Sequence, residues 1–282
     1  MARMNTMPRK SDPEAVMAII EEAALSVMSI YNSGSYSVNR KSDSSPVTGA
    51  DLLSEKIITE GIGRLTPDVP LVSEESVTDT MAGDILPADY WIADPLDGTR
   101  EFIKGNGEFC ICLARVTGGE VREGYIVAPA TGLSWYAIKG QGAFRVIGGK
   151  AERLPCREEV AAPMQVLKSR SHSNHLEDKW LSQIASSRAI AEEHQGSAIK
   201  FARIAEGSGD LYVKFSTIFK WDVAAGALLV EEAGGAVNSL ISRKRLEFGS
   251  PGYTVDPFIA SGNRVKDIQE LVSTLPAIWP LP

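Results

Sequence analysis

Pro95, set inside Trp91-Ile92-Ala93-Asp94-Pro95-Leu96-Asp97-Gly98-Thr99, constrains the fold of this chain more than any other residue. An apolar strand over Tyr90 to Ala93 reaches Asp94, and a proline, with fixed φ and no N–H, prevents its regular continuation. The chain must turn there. Asp97 lies three residues beyond Asp94, so both carboxylates can converge on one point, and Gly98 lets the backbone approach a ligand closely. A helix starting near Thr99 would add free N–H groups that seat a phosphate oxygen. An isolated Asp-x-x-Asp is a common turn or cap pair. Here two further acids sit in matching contexts: the apolar Leu71-Val72 run ends at Glu74, and Trp221-Asp222-Val223-Ala224-Ala225-Gly226 opens a small-residue helix on an acid. Oxygen-only ligands suit hard Mg²⁺ or Mn²⁺, whereas three His and the lack of a Cys-x-x-Cys argue against zinc.

The rest of the chain divides by rhythm. Ser11 or Asp12 can cap a first helix, with Pro13 and Glu14 in its first turn and Val16, Ile19, Ile20, Ala23, Ala24 and Val27 on one face. A second helical pattern starts near Asp51. Strand-like runs at Cys110 to Val116, Gly124 to Ala128, Leu133 to Ile138 and Ala143 to Ile147 predict an antiparallel meander. Gly148-Gly149-Lys150 and the polar 152–159 stretch mark the expected boundary between an N-terminal α+β domain, residues 1–150, and a C-terminal α/β domain, residues 151–282. The second domain alternates strands near 164–168, 210–215 and 258–260 with helices near 176–184, 198–206, 222–233 and 265–275, followed by an irregular tail.

Lys and Arg total 29 against 36 Asp and Glu, a net charge of −7, which disfavours a nucleic-acid polymer as partner. Met1 to Lys10 has basic residues but no apolar core and no cleavage signal, and no apolar run approaches a membrane span. A cytosolic chain is expected, free or peripheral at the inner membrane, as a monomer or homodimer. Cys110, Cys112 and Cys156 read as buried reduced thiols.

The segments Trp91 to Thr99 and Trp221 to Gly226, the latter running on through Glu232-Ala233-Gly234-Gly235, resemble the two signatures of the inositol-monophosphatase superfamily of Mg²⁺-dependent, lithium-sensitive phosphatases. The similarity spans about Pro46 to Asn263. It implies a two-domain layered sugar-phosphatase fold, α+β then α/β, and two or three Mg²⁺ ions. By resemblance, Glu74, Asp94, the Leu96 carbonyl, Asp97 and Asp222 bind metal. Asp51 works with Thr99 to activate water, and Gly98 and Thr99 hold the transferred phosphate through backbone N–H groups.

Within that superfamily the chain is most similar to the CysQ-type 3'(2'),5'-bisphosphate nucleotidases. The resemblance rests on Asp97 to Ile103 followed by Asn106-Gly107-Glu108-Phe109, on Ser169-Arg170-Ser171-His172, and on Gly196-Ser197-Ala198-Ile199-Lys200-Phe201. Ser197 at a helix start with Lys200 one turn on suits a second phosphate. Lys214 stands where many relatives carry Arg, which keeps the charge and removes the bidentate fork, and His172 is expected near adenine. The implied substrate is a nucleotide bisphosphate. An inositol or sugar monophosphatase, or a catalytically silent binding protein on the same fold, are the alternatives, and retention of all five acids weighs against the last.

Overall fold

The computed structural model describes residues 11–40, 46–77, 85–154, 163–171 and 174–262. Residues 1–10, Cys156, His172, the helix expected at 265–275 and the tail lie outside the described residues.

Helix α1 (Pro13–Ser33) starts as expected, with Asp12 as its cap accepting the Glu14 N–H at 3.1 Å. Ser11 does not cap. Its N–H and hydroxyl instead donate to Glu123, tying the residues just before α1 to the first sheet. The short strands β1 (Val38–Arg40) and β2 (Pro46–Thr48) pair antiparallel and lead into α2 (Gly49–Leu65). A seven-stranded sheet follows: β3 (Leu71–Ser73), then β4 (Asp89–Asp97), separated from helix α3 (Thr99–Lys104) only by Gly98, and then β5 (Cys110–Thr117), β6 (Glu120–Ala128), β7 (Leu133–Ile138), β8 (Gly142–Ile147) and β9 (Lys150–Arg153). Strands β4 to β9 form the expected antiparallel meander, while β3 pairs parallel to β4.

The Gly148-Gly149 pair proves to be a two-residue hairpin joining β8 to β9, both residues at positive φ as such turns require. Residues 150–153 therefore stay in the first sheet, and the change of sheet comes after Arg153. The second sheet is built from β10 (Met164–Ser169), β11 (Ile190–Gln195), β12 (Leu211–Lys214), β14 (Ala236–Ser239) and β16 (Phe258–Ser261) in the order β11-β10-β12-β16-β14. It is mixed: β10 runs parallel to β11 and β12, and β16 antiparallel to β12 and β14. Helices α4 (His175–Ala185), α5 (Ile199–Ala205) and α6 (Lys220–Glu232) alternate with these strands, and β13 (Ile218–Phe219) pairs with β15 (Thr254–Val255) beside them.

Strand alternation sorts the side chains into five layers. On β4, Trp91 and Ala93 face one core with α1 and α2, while Tyr90 and Ile92 face another with α5 and α6. The second sheet repeats the device. Leu167, Tyr212, Phe258 and Ala260 face the α5–α6 layer, and Val166, Leu211, Val213 and Ile259 face Trp180, Leu181 and Ile184 of α4. Helix α6 is thus buried nearly all round, which explains its run of Ala224, Ala225, Gly226 and Ala227.

Candidate active site

Pro95 acts through a bulge. Asp94 pairs with Cys112 and Asp97 with Cys110, so three steps on β4 are set against two on β5, the local kink that a proline tolerates and that re-aims side chains. The Asp94 carboxylate accepts the Leu96 N–H at 2.9 Å. Ser54 of α2, fully buried, donates to the Pro95 carbonyl at 2.7 Å and pins the turn from the opposite layer. Gly98 follows at φ 93°, and a Cβ there would lie 3.0 Å from the Glu108 carbonyl oxygen, so glycine is required twice over.

Asp51 is a member of the α2 capping box. Thr48 donates its N–H and its hydroxyl to Asp51 Oδ2 at 2.8 and 2.6 Å, while Thr48 Oγ1 accepts the Ala50 N–H. The other oxygen, Oδ1, accepts the Thr99 hydroxyl at 3.1 Å, with the Leu96 carbonyl 3.2 Å from the same hydroxyl. Burial pushes the Asp51 carboxyl up, opposed by the hydrogen bonds from Thr48 and Thr99.

Glu74 opens a 3₁₀ turn at the end of β3, and Asp222 lies in the first turn of α6. Glu74, Asp94 and Asp222 each bring one carboxylate oxygen within 4.8 Å of the others, and Asp97 lies beside them. Burial pushes Asp94 well up, reinforced by Glu74, Asp97 and Asp222. Asp222 rises through burial and the charges of Asp97 and Glu74. Asp97 is pushed up to about 6 by burial, against the pull of Lys200. Crowded carboxylates that oppose one another's ionisation, with oxygen as the only donor, fit a hard divalent cation.

These residues line a cavity of about 330 Å³ that Ser197, Lys200 and Lys214 also line. The structure places the two lysines differently from each other. Helix α5 begins at Ile199, so Ser197 precedes it at φ 55°, with Oγ 3.4 Å from the Ile199 N–H. Lys200 does not offer a free ammonium beside it. Its Nζ turns back to the Ser197 and Gln195 carbonyls at 2.5 and 3.3 Å and lies 4.9 Å above the Tyr212 ring, while its charge faces Asp97. The long stem lets the charge reach the buried carboxylate, and that attraction together with two carbonyls holds it. Lys214 is only 7% exposed, lines the cavity, and makes no hydrogen bond or ion pair among the described residues.

Sequence reasoning missed two cavity features. Arg170 grips Glu108 through a fork at 2.5 and 2.6 Å, bridging the second sheet to the loop after α3. Phe219, 43% exposed, stacks on Trp221 with ring centroids 4.6 Å apart and presents an apolar face at the rim. Only its place beside the Trp221 signature hinted at that role. His175 starts α4 and His194 lies on β11, and neither lines the cavity.

The profile of the Inositol monophosphatase family matches residues 11–271. The 3'(2'),5'-bisphosphate nucleotidase CysQ of Salmonella typhimurium is 35% identical over 254 residues, covering 86% of this chain and 98% of that protein. Among solved structures, CysQ from Bacteroides thetaiotaomicron superposes with a TM-score of 0.75 at 28% identity, covering 89% of this chain and 97% of the other. The Thermotoga maritima IMPase gives 0.75 at 28% identity, covering 93% and 95%.

Proposed function

Because the chain belongs to the inositol monophosphatase family and is therefore a phosphatase of phosphomonoesters, we propose that it hydrolyses adenosine 3',5'-bisphosphate to AMP and phosphate, with 3'-phosphoadenylyl sulfate as a second substrate. The observation that carries the reading is Lys214. A lysine only 7% exposed, without a hydrogen-bonding partner among the described residues and lining the same cavity as the carboxylate cluster, supplies what a second, non-reacting phosphate needs. The rim face of Phe219 suits a base. The names of the CysQ relatives point the same way.

Mg²⁺, with Mn²⁺ as substitute, would be held by Glu74, Asp94, Asp97, Asp222 and the Leu96 carbonyl, and would neutralise phosphoryl oxygens and acidify water. The remaining chemistry belongs to the chain. Thr99 gives its single hydroxyl proton to Asp51, which leaves its lone pairs to accept from an incoming water. As the water oxygen attacks phosphorus and the ester bond breaks in line, the water proton passes to Thr99 Oγ1 and the Thr99 proton to Asp51 Oδ1, while the departing ribose oxygen takes a proton from a second water and Asp51 returns its own to the hydroxide so formed. Burial makes that carboxylate the more basic end of the relay. Backbone N–H groups at Gly98 and Thr99 steady the transferred group.

Phosphate release from adenosine 3',5'-bisphosphate, inositol 1-phosphate and fructose 1,6-bisphosphate, measured in parallel with Mg²⁺, tests the proposal. The first should lead in kcat/KM by at least about tenfold, the worth of one charge-assisted contact. A lead for inositol 1-phosphate would reject it in favour of the sugar-monophosphatase reading.

A further inference from the structure

Behind the carboxylate cluster lies a second set of donors that the phosphatase reaction does not use. Cys110 and Cys112 sit two apart on β5, point to the same face, and are wholly buried. Their sulfurs are 3.7 Å apart, and Cys110 Sγ lies 3.6 Å from Asp97 Oδ2. The three donor atoms of Asp97, Cys110 and Cys112 all fall within 4.8 Å of one another.

Those spacings can be set against a coordination shell. With bonds of about 2.3 Å to sulfur and about 2.0 Å to oxygen, the edges of a tetrahedron around zinc are about 3.8 Å between two sulfurs and about 3.5 Å between sulfur and oxygen. The two edges given by the Cys110 contacts match both values without movement of the backbone. A disulfide would instead need the sulfurs at about 2.05 Å and a specific torsion. Asp97 Oδ2 also accepts the Ala198 N–H, the kind of outer hydrogen bond that orients a ligating carboxylate. Asp97 borders the cavity, which provides an entry.

We propose that Cys110, Cys112 and Asp97 form a second metal site, selective for thiophilic d¹⁰ cations such as Zn²⁺ or Cd²⁺. Each thiol releases its proton to water as its bond to the cation forms. Because Asp97 is shared with the carboxylate cluster, a cation held on the sulfur side withdraws that ligand from the catalytic side. The site therefore inhibits, and Mg²⁺, which binds thiolate poorly, does not displace the inhibitor. The proposal stands apart from the identity of the substrate, since binding is read without turnover.

The test uses full-length protein carrying Cys156→Ser, which removes the third thiol. Cd²⁺ titration should give an ultraviolet thiolate-to-metal charge-transfer band saturating at one equivalent, lost in Cys110→Ala and in Cys112→Ala. In phosphate-release assays at saturating Mg²⁺, the Zn²⁺ concentration for half-inhibition should rise at least about tenfold in Cys112→Ala, in line with the loss of a ligand. Zinc-edge absorption of the Cys156→Ser protein should show two sulfurs at about 2.3 Å, a readout that survives if an alanine variant fails to fold. Absence of the band, its persistence in Cys110→Ala/Cys112→Ala, or an oxygen-only zinc shell would overturn the proposal. Equal Zn²⁺ sensitivity of parent and variants would overturn it too, by placing the inhibition at the carboxylates.

Discussion

Lys214→Ala and Lys200→Ala should separate two lysines that the sequence presented as one phosphate-binding pair. Lys214 lines the cavity with no hydrogen bond among the described residues and with Glu177 as an electrostatic neighbour, so a second phosphate gains a charged contact there. A charge-assisted hydrogen bond contributes about 1.5–3 kcal/mol, or roughly tenfold to somewhat over a hundredfold in kcat/KM. Lys214→Ala should therefore lower kcat/KM for adenosine 3',5'-bisphosphate by that factor and leave 3'-AMP, which lacks the 5'-phosphate, within about threefold, the remainder being long-range field. Lys214→Arg should retain or sharpen the preference. Lys200→Ala should behave otherwise. Its Nζ satisfies the Ser197 and Gln195 carbonyls and offsets the charge of Asp97, so its removal should damage turnover of both substrates equally. Steady-state kinetics on the two substrates across the three variants, with thermal unfolding as a control for folding, decides the matter. An equal loss on both substrates in Lys214→Ala would refute the reasoning.

Thr99→Ala should lower kcat by about 10²–10⁴-fold and leave divalent-ion affinity unchanged in calorimetric titration; a loss confined to metal affinity would reject the relay through Asp51. In the metal-free protein, Asp97 titrates near 6 when folded and near 3.8 when unfolded, so the folded state holds a proton that the unfolded state releases in that interval. Stability should thus be greatest below the lower value and fall as pH rises through about 6, with Tm in EDTA dropping between pH 5 and 7 and Mg²⁺ restoring it; a rising Tm would contradict this sign. Gly124→Ala should destabilise by about 1–3 kcal/mol in urea unfolding, since its Cβ would lie 2.9 Å from the Ala225 carbonyl oxygen.

What the sequence made legible was local. The small-residue helix carrying Asp222 appears where expected, whereas the strand expected to stop at Asp94 runs on to Asp97, because a bulge lets the sheet accept Pro95 without a turn. Strand β11 was invisible because Ile190-Ala191-Glu192-Glu193-His194-Gln195 is an edge strand, mostly polar, without apolar alternation. The Gly148-Gly149 pair closes a hairpin inside the stretch read as a boundary, because paired glycines punctuate either, and only pairing to β9 tells them apart. The direction of the Lys200 ammonium was not legible for a different reason. Helical spacing fixes where a Cβ lies, whereas a lysine stem can turn either way, and the outcome rests on Asp97, about a hundred residues distant in sequence.

The site also explains why α6 carries so little side-chain bulk. Asp51 comes from the outer helical layer, Asp94 and Asp97 from the first sheet, and Asp222 from the helix layer between the sheets. Three layers must therefore hold register to within a fraction of a residue, because one step along an α-helix rotates a side chain by about 100°. Bulky residues on α6 would hold the sheets apart. Ala225 instead lies against Gly124 of β6, and Gly226 against Phe201 of α5. Direct backbone approach leaves α6 little freedom to slide or turn, and the same contact that closes the core fixes the direction of Asp222. The repulsion among the crowded carboxylates is then a strain that dense packing beneath them must withstand unless protonation, or the cation proposed above, relieves it.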